Sequence, residues 1–247
     1  MYTLLVSILI GVAVGGAWAL LNPWNYWGFG IILGLTVVVA AFAILSRVLA
    51  KRVEPHFLQA QKQIQAGAIK GAMKTLADLL PMARWQILLK GQIYAQMGSL
   101  AYSQGDMDQA FECLQKSSKR VADAQVFFAA LHYRRKDYPA AKSVLETAIQ
   151  YNKKQVMLYN VLAWMQLKEG ESARAVETLL RCEKVDKQSE ATKDNLHRVQ
   201  NGKKMNMKRF GMTWYALQLE KPPASMRQAP PGAPRAGFRQ KKRGGKR

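Results

Sequence analysis

The chain begins with two uninterrupted apolar segments. Residues 2–21 and 28–46 contain no Asp, Glu, Lys, Arg or His and consist mainly of Leu, Ile, Val, Ala and Gly. Each segment is close to the length of about 20 residues that a helix needs to cross a hydrocarbon core of roughly 30 Å. The pattern therefore predicts two membrane-spanning helices at the start of the chain.

A short polar and aromatic stretch, Asn22 to Trp27, separates the two segments. Its asparagines and proline interrupt a helix, and its three aromatic rings are of the kind that lie at a membrane–water interface. So short a connection predicts an antiparallel hairpin with both chain ends on one side. Arg47, Lys51 and Arg52 follow the second segment directly, whereas the turn carries no positive residue. The positive-inside rule then predicts a cytoplasmic location for residues 47–247 and for both termini.

Each apolar segment also contains two glycines spaced four residues apart, which allow helix backbones to approach closely in lipid. These candidate helix-packing residues are Gly11, Gly15, Gly30 and Gly34. Packing within the hairpin is favoured over dimerisation because the second helix is already tethered to the first.

A cleaved signal peptide over residues 1–19, ending in Ala17-Trp18-Ala19, is the competing interpretation of the first segment. It is disfavoured because the first three residues lack a positive charge and the apolar run is longer than usual.

After Pro55 the apolar positions recur with helical periodicity, in units of helix, tight turn and helix. Three units place alanine in the second helix at Ala110, Ala141 and Ala175. Leucine follows four positions later in each unit, and a small residue follows three positions after that. Gly105 and Gly170 stand at two of the turns, and Lys136 replaces glycine at the third.

This spacing resembles the tetratricopeptide repeat, a helix–turn–helix unit of about 34 residues. The resemblance covers residues 88–186 and implies an all-α solenoid that binds protein partners. A degenerate unit precedes it, with Gly67 at the turn, and a polar helix ending at Asn201-Gly202 follows as a cap. The expected organisation is a hairpin with a basic flank over 1–52, a repeat domain over 53–202, an aromatic strap over 203–220 and a disordered tail over 221–247.

The first helix of each unit is expected to line a concave partner-binding surface. The candidate residues on this surface are Tyr102, Tyr133, Arg134, Asn160, Trp164 and Lys168. For each aromatic residue, a position in the helical core is the favoured alternative, because an aromatic side chain on a helix usually belongs to the core. The apolar octet from Met212 to Leu219 either packs onto the repeats as an intramolecular strap, which is the preferred interpretation, or binds a partner.

Residues 221–247 contain five prolines, four glycines, nine Lys or Arg and no acidic residue, a composition typical of disorder. The cations that end this tail, as candidates for an anionic surface, are Arg239, Lys241, Lys242, Arg243, Lys246 and Arg247. The tail either keeps the protein soluble, lies on anionic lipid or binds nucleic acid. Lipid is favoured because the hairpin already holds the tail near the membrane.

No motif for catalysis, a cofactor or a metal is present. His56, His132 and His197 are dispersed, and Cys113 and Cys182 fit buried helical positions in a reducing compartment. The layout is similar to bacterial inner-membrane proteins that carry such repeats on the cytoplasmic side as assembly adaptors. The sequence therefore predicts a membrane-anchored, non-enzymatic scaffold for protein partners, and the alternative is a membrane docking factor that binds RNA or ribosomes through its tail.

Overall fold

The structure is a computed structural model of the 247-residue chain, and it describes residues 2–21, 27–86 and 88–223. These residues contain helices and no strand, so the predicted all-α fold is confirmed. The first three helices are α1 Tyr2–Leu21, α2 Trp27–Gln65 and α3 Ile69–Ala77. The next seven are α4 Leu89–Gln104, α5 Met107–Gln115, α6 Ala122–Arg134, α7 Tyr138–Tyr151, α8 Val156–Lys168, α9 Ser172–Val185 and α10 Glu190–Gln200. One 3₁₀ turn, Met82–Arg84, lies between α3 and α4, and a second, Met207–Phe210, follows α10. A short helix, α11 Gly211–Tyr215, comes directly after the second turn.

Helix α1 and the first half of α2 form an antiparallel apolar hairpin. Both helices are long and apolar enough to cross a membrane. Only 11% of the residues in the most apolar stretch of each helix are buried within the described chain. Leu9 and Leu20, for example, point away from the protein. The outer surface of the hairpin is therefore an unbroken apolar surface of the kind that lipid covers.

Helix α2 continues without a break through Pro55 to Gln65 and crosses the predicted boundary after residue 52. A proline inside a helix removes one backbone hydrogen bond and costs about 3 kcal/mol. Val53 and Ala60 flank Pro55 on α2 and are buried in one apolar cluster with Ala72 and Leu76 of α3. Packing of this amphipathic half of α2 against α3 offsets the cost, because burying a large apolar side chain contributes about 1.5–3 kcal/mol.

The repeat domain is a stack of antiparallel helix pairs, α2 with α3, α4 with α5, α6 with α7 and α8 with α9, followed by α10. The alanines predicted at the helix crossings, Ala110, Ala141 and Ala175, are completely buried. Gly67, Gly105 and Gly170 occupy the turns at positive φ, and Lys136 takes the same backbone conformation, at φ 64°, where glycine is absent. The repeat spacing thus predicted the turns and the crossings correctly.

After α10 the chain turns at Gly202 and runs back over the stack. This segment, residues 203–220, is called the strap below. Met207, Trp214 and Leu217 of the strap are buried in the same apolar core as residues of α4, α6 and α8. The strap therefore packs onto the repeats as part of the folded core.

Candidate partner-binding groove

The first helices of three successive units, α4, α6 and α8, line one face of the stack. Aromatic residues follow one another along it, since Tyr133 of α6 meets Trp164 of α8 with ring centroids 5.5 Å apart. Tyr102 of α4 is completely buried at one end of this row. The helical repeat places these residues in register, because each unit contributes its first helix to the same face.

The strap occupies this face, which is called the groove below. The Tyr102 hydroxyl donates a hydrogen bond to the backbone carbonyl of Leu217. Arg134 donates from its guanidinium to the side-chain oxygen of Gln218 at 3.0 Å. A side chain from α4 and one from α6 thus bind consecutive residues of the strap, in the turn that follows α11.

At α8 the strap is held by paired indoles. The Trp164 and Trp214 rings meet edge to face with centroids 5.0 Å apart. Both indole N–H groups donate to the Glu220 carboxylate, Trp164 to Oε1 at 3.2 Å and Trp214 to Oε2 at 3.1 Å. One carboxylate therefore satisfies two indole donors, which otherwise would lose hydrogen bonds on burial.

Two cations lie at the edge of the groove and give it a positive character. The Arg134 guanidinium lies 5.9 Å from the centroid of the Tyr102 ring, and the Lys168 ammonium lies 5.2 Å from that of Trp164. Such cation–π contacts contribute about 0.5–1 kcal/mol at exposed sites. The combination of aromatic floor and cationic rim suits a chain segment that carries aromatic and acidic side chains.

Burial also affects the pKa of the groove tyrosines. It raises the pKa of Tyr102, an effect that the neighbouring Arg134 opposes, and it raises the pKa of Tyr133. Both phenols are therefore neutral at physiological pH. A neutral Tyr102 is required for its hydroxyl to donate to the Leu217 carbonyl.

Asn160, which the sequence placed among the partner-binding residues, lies in the interior. Its side chain donates to Val156 O at 3.0 Å and to Thr192 Oγ1 at 3.1 Å, and it accepts from Asn195 at 3.0 Å. It is fully buried. Asn160 thus links α8 to α10, and the structure brings only the other five candidates to the groove.

Glu220 is the groove residue that the sequence reasoning did not include. A signal for it exists, because it is the only acidic residue after Gly202 in a strongly basic part of the chain. An isolated acid beside a Trp-Tyr pair can accept hydrogen bonds from buried indoles. The tail cations from Arg239 to Arg247 lie outside the described residues.

The four candidate packing glycines meet inside the hairpin. A Cβ atom on Gly15 would lie 2.8 Å from the carbonyl oxygen of Gly30, and one on Gly34 would lie 2.9 Å from that of Gly11. The two backbones are therefore in direct contact. Gly16, by contrast, faces open space.

Comparison with known proteins agrees with this repeat geometry. Residues 91–120, which include most of α4 and all of α5, match the tetratricopeptide repeat family. No curated protein is detectably similar to the chain in sequence.

Among solved structures, a crystal structure of MamA protein is similar at 15% identity, with a TM-score of 0.45 over 73% of this chain and 92% of that one. PilF of Pseudomonas aeruginosa is similar at 14% identity, with a TM-score of 0.49 over 69% of this chain and 73% of that one. The first TPR of Spaghetti (RPAP3), bound to the HSP90 peptide SRMEEVD, has 16% identity and a TM-score of 0.41 over 47% of this chain and 96% of that one.

The family match over one repeat unit and the stacked helix pairs show a tetratricopeptide-like helical repeat fold. It also carries two N-terminal helices that are apolar and long enough to span a membrane. The fold is one that generally serves to bind other proteins.

Proposed function

We propose that this protein is a membrane-anchored scaffold that gathers protein partners at the cytoplasmic face of a bacterial inner membrane. The hairpin is the anchor, and the groove on α4, α6 and α8 is the partner-binding surface. The observation that carries the proposal is the strap, because this face of the repeats already accommodates a segment of the chain itself that carries aromatic and acidic side chains.

The contacts of the strap indicate the chemistry of the partner. The groove offers the Tyr102 hydroxyl to a backbone carbonyl, an indole donor to a carboxylate, and two rim cations. A partner segment with one or two aromatic residues followed by an acidic residue satisfies all of these groups. Such a segment binds the groove in competition with the strap.

Site-specific photo-crosslinking in cells tests this proposal. A photoreactive residue at Lys168, on the rim of the groove, should form crosslinks to a partner that increase when Trp214→Ala releases the strap. The matched control places the photoreactive residue at Gln150, which is exposed on α7, the second helix of its repeat unit. Its crosslinks should not respond to Trp214→Ala. Identical crosslinking at Lys168 with and without the strap contacts would show that partners do not use the groove.

Membrane anchoring is tested separately on the full chain. The protein should resist extraction by alkaline carbonate, and a reporter fused after Arg247 should be active only on the cytoplasmic side. Release into the carbonate supernatant would contradict the anchor. An externally active reporter would contradict the proposed orientation.

A further inference from the structure

The connections between successive helix pairs lie together on one edge of the repeat stack. Consecutive helices are antiparallel, so the turns within pairs occupy one edge and the connections between pairs occupy the opposite edge. Two hydrogen bonds link the first three connections. Ser118 N donates to Gly91 O at 3.2 Å, and the Asn152 side chain donates to Lys119 O at 2.9 Å. These connections therefore form a continuous strip.

This strip adjoins the end of the hairpin. The Thr3 hydroxyl of α1 donates to the carbonyl of Trp85 at 2.7 Å, and the rings of Tyr2 and Trp85 meet with centroids 5.4 Å apart. Trp85 belongs to the connection between α3 and α4. Gly15 faces Gly30 and Gly34 faces Gly11, and this register places Thr3 opposite Phe42, near the end of the apolar run that precedes Arg47. The strip thus begins where the apolar surface of the hairpin ends.

Unpaired cations are concentrated on this strip. We define the basic edge as Lys90, Lys116, Lys119, Arg120, Lys153 and Lys154, all of which are exposed. None of the six forms an ion pair with any residue that the structure describes.

The opposite edge has a different charge pattern. There Arg135 pairs with Asp108, and Lys142 pairs with Glu169 and Glu171. The positive charge of the opposite edge is therefore partly neutralised within the protein, whereas that of the basic edge is not.

Exposed aromatic and apolar side chains lie among the cations of the basic edge. Trp85 and Leu88 lie in the first of these connections, Tyr151 ends α7 directly before the third, and each is about half exposed. Leu88, Lys90 and Lys116 also line an open cleft with Gly91 and Ser118. Cations interspersed with Trp, Tyr and Leu are the side chains that settle at the headgroup level of an anionic bilayer.

We infer that the basic edge lies on the anionic cytoplasmic leaflet and holds the first three repeat units against the membrane surface. This inference rests on the proposed insertion of the hairpin. The unpaired cations contact lipid phosphates, and Trp85, Leu88 and Tyr151 enter the headgroup layer. The groove is then held at a fixed orientation relative to the membrane instead of swinging freely on α2.

Lysine acylation on the full chain in lipid nanodiscs tests this inference. Acylation of Lys116, Lys119, Lys153 and Lys154 should be severalfold slower in discs containing phosphatidylglycerol than in discs of phosphatidylcholine alone. High salt should remove the difference, because the attraction is screened. The control lysines are Lys136 and Lys203, exposed on the opposite edge, and their acylation rates should be the same in both discs.

Two variants of the protein complete the experiment. Deletion of residues 239–247 should leave the protection from acylation intact. This result would show that the basic edge, and not the tail, causes the protection. The double variant Lys119→Glu, Lys153→Glu, both at exposed positions, should abolish the protection of Lys116 and Lys154.

Equal acylation in both kinds of disc would overturn the inference, and so would protection that appears only on addition of RNA to phosphatidylcholine discs. Because the comparison uses protein already incorporated into discs, either result leaves the test of the hairpin anchor unaffected.

Discussion

Trp164 of α8 and Trp214 of the strap share the carboxylate of Glu220, with indole nitrogens at 3.2 Å and 3.1 Å from its two oxygens. The two rings also meet edge to face. This arrangement fastens a segment from the end of the described chain onto the repeat unit formed by α8 and α9. The face through which a tetratricopeptide stack could bind a partner is consequently filled by the protein itself.

Trp214→Ala should release the strap without unfolding the repeats. Trp214 is completely buried, and truncation of a buried aromatic residue costs about 3–5 kcal/mol. We expect backbone amides of residues 205–219 to exchange hydrogen much faster in the variant, while those of α6 and α8 stay protected. The control Met212→Ala, at a residue that is 64% exposed, should leave exchange unchanged. Slow exchange over the strap in the Trp214 variant would contradict the packing described above.

Gly15→Leu should separate the two helices of the hairpin. The new side chain would collide with the backbone of Gly30 and Gly34, and overpacking of this kind costs about 1–3 kcal/mol. We expect a lower melting temperature of the hairpin in detergent micelles. Gly16→Leu is the matched control because a Cβ there meets nothing within 4 Å. Equal destabilisation by both substitutions would contradict close backbone packing through Gly15.

Substitution of two helical glycines by alanine should have opposite effects on stability. A Cβ on Gly98 would lie 2.7 Å from the Leu114 side chain and 3.0 Å from its backbone nitrogen, so Gly98→Ala must push α4 and α5 apart at a cost of about 1–3 kcal/mol. A Cβ on Gly71 would make an ordinary contact with Gln63 at 3.5 Å. Gly71→Ala should stabilise the protein by about 0.5–1 kcal/mol, because alanine favours the helix. Thermal unfolding followed by circular dichroism measures both changes.

Lys142→Met should weaken the contact between α7 and the α8–α9 turn, and the effect should depend on pH. The Lys142 ammonium lies 2.9 Å from a carboxylate oxygen of Glu169 and 2.9 Å from one of Glu171. The hydrogen bond with Glu169 is the main cause of the raised pKa of Lys142, and the hydrogen bond with Lys142 is the main cause of the lowered pKa of Glu171.

The two shifts determine the pH window of this effect. The contribution of Lys142 is complete below the ordinary lysine pKa and is lost as pH rises through the raised value. That of Glu171 is complete above the ordinary carboxyl pKa and is lost as pH falls through the lowered value. The difference in melting temperature between the native protein and the variant should therefore be constant around neutral pH and shrink in acid and in strong alkali. A difference that does not change with pH would indicate lost packing instead of lost ion pairing.

Much of the groove could be predicted from the repeat. Tyr102, Tyr133 and Trp164 occur at first-helix positions of successive units, and the structure brings them to one face with Arg134 and Lys168. The error at Asn160 arises because neighbouring positions of a first helix point in different directions. The Asn160 side chain points from α8 towards the buried Thr192 and Asn195 of α10. The periodicity of α8 alone does not reveal this contact.

The sequence by itself determined the apolar hairpin, the helical class, the repeat spacing and the turns at Gly67, Gly105 and Gly170. These features depend on charge, periodicity and backbone preference among residues close together in the chain. Only the tertiary structure decided that α2 passes through Pro55, that the strap fills the groove and that the six cations of the basic edge lie together. Tyr102 and Leu217 are 115 residues apart, so their contact depends on the shape of the assembled stack, which local sequence preferences do not specify.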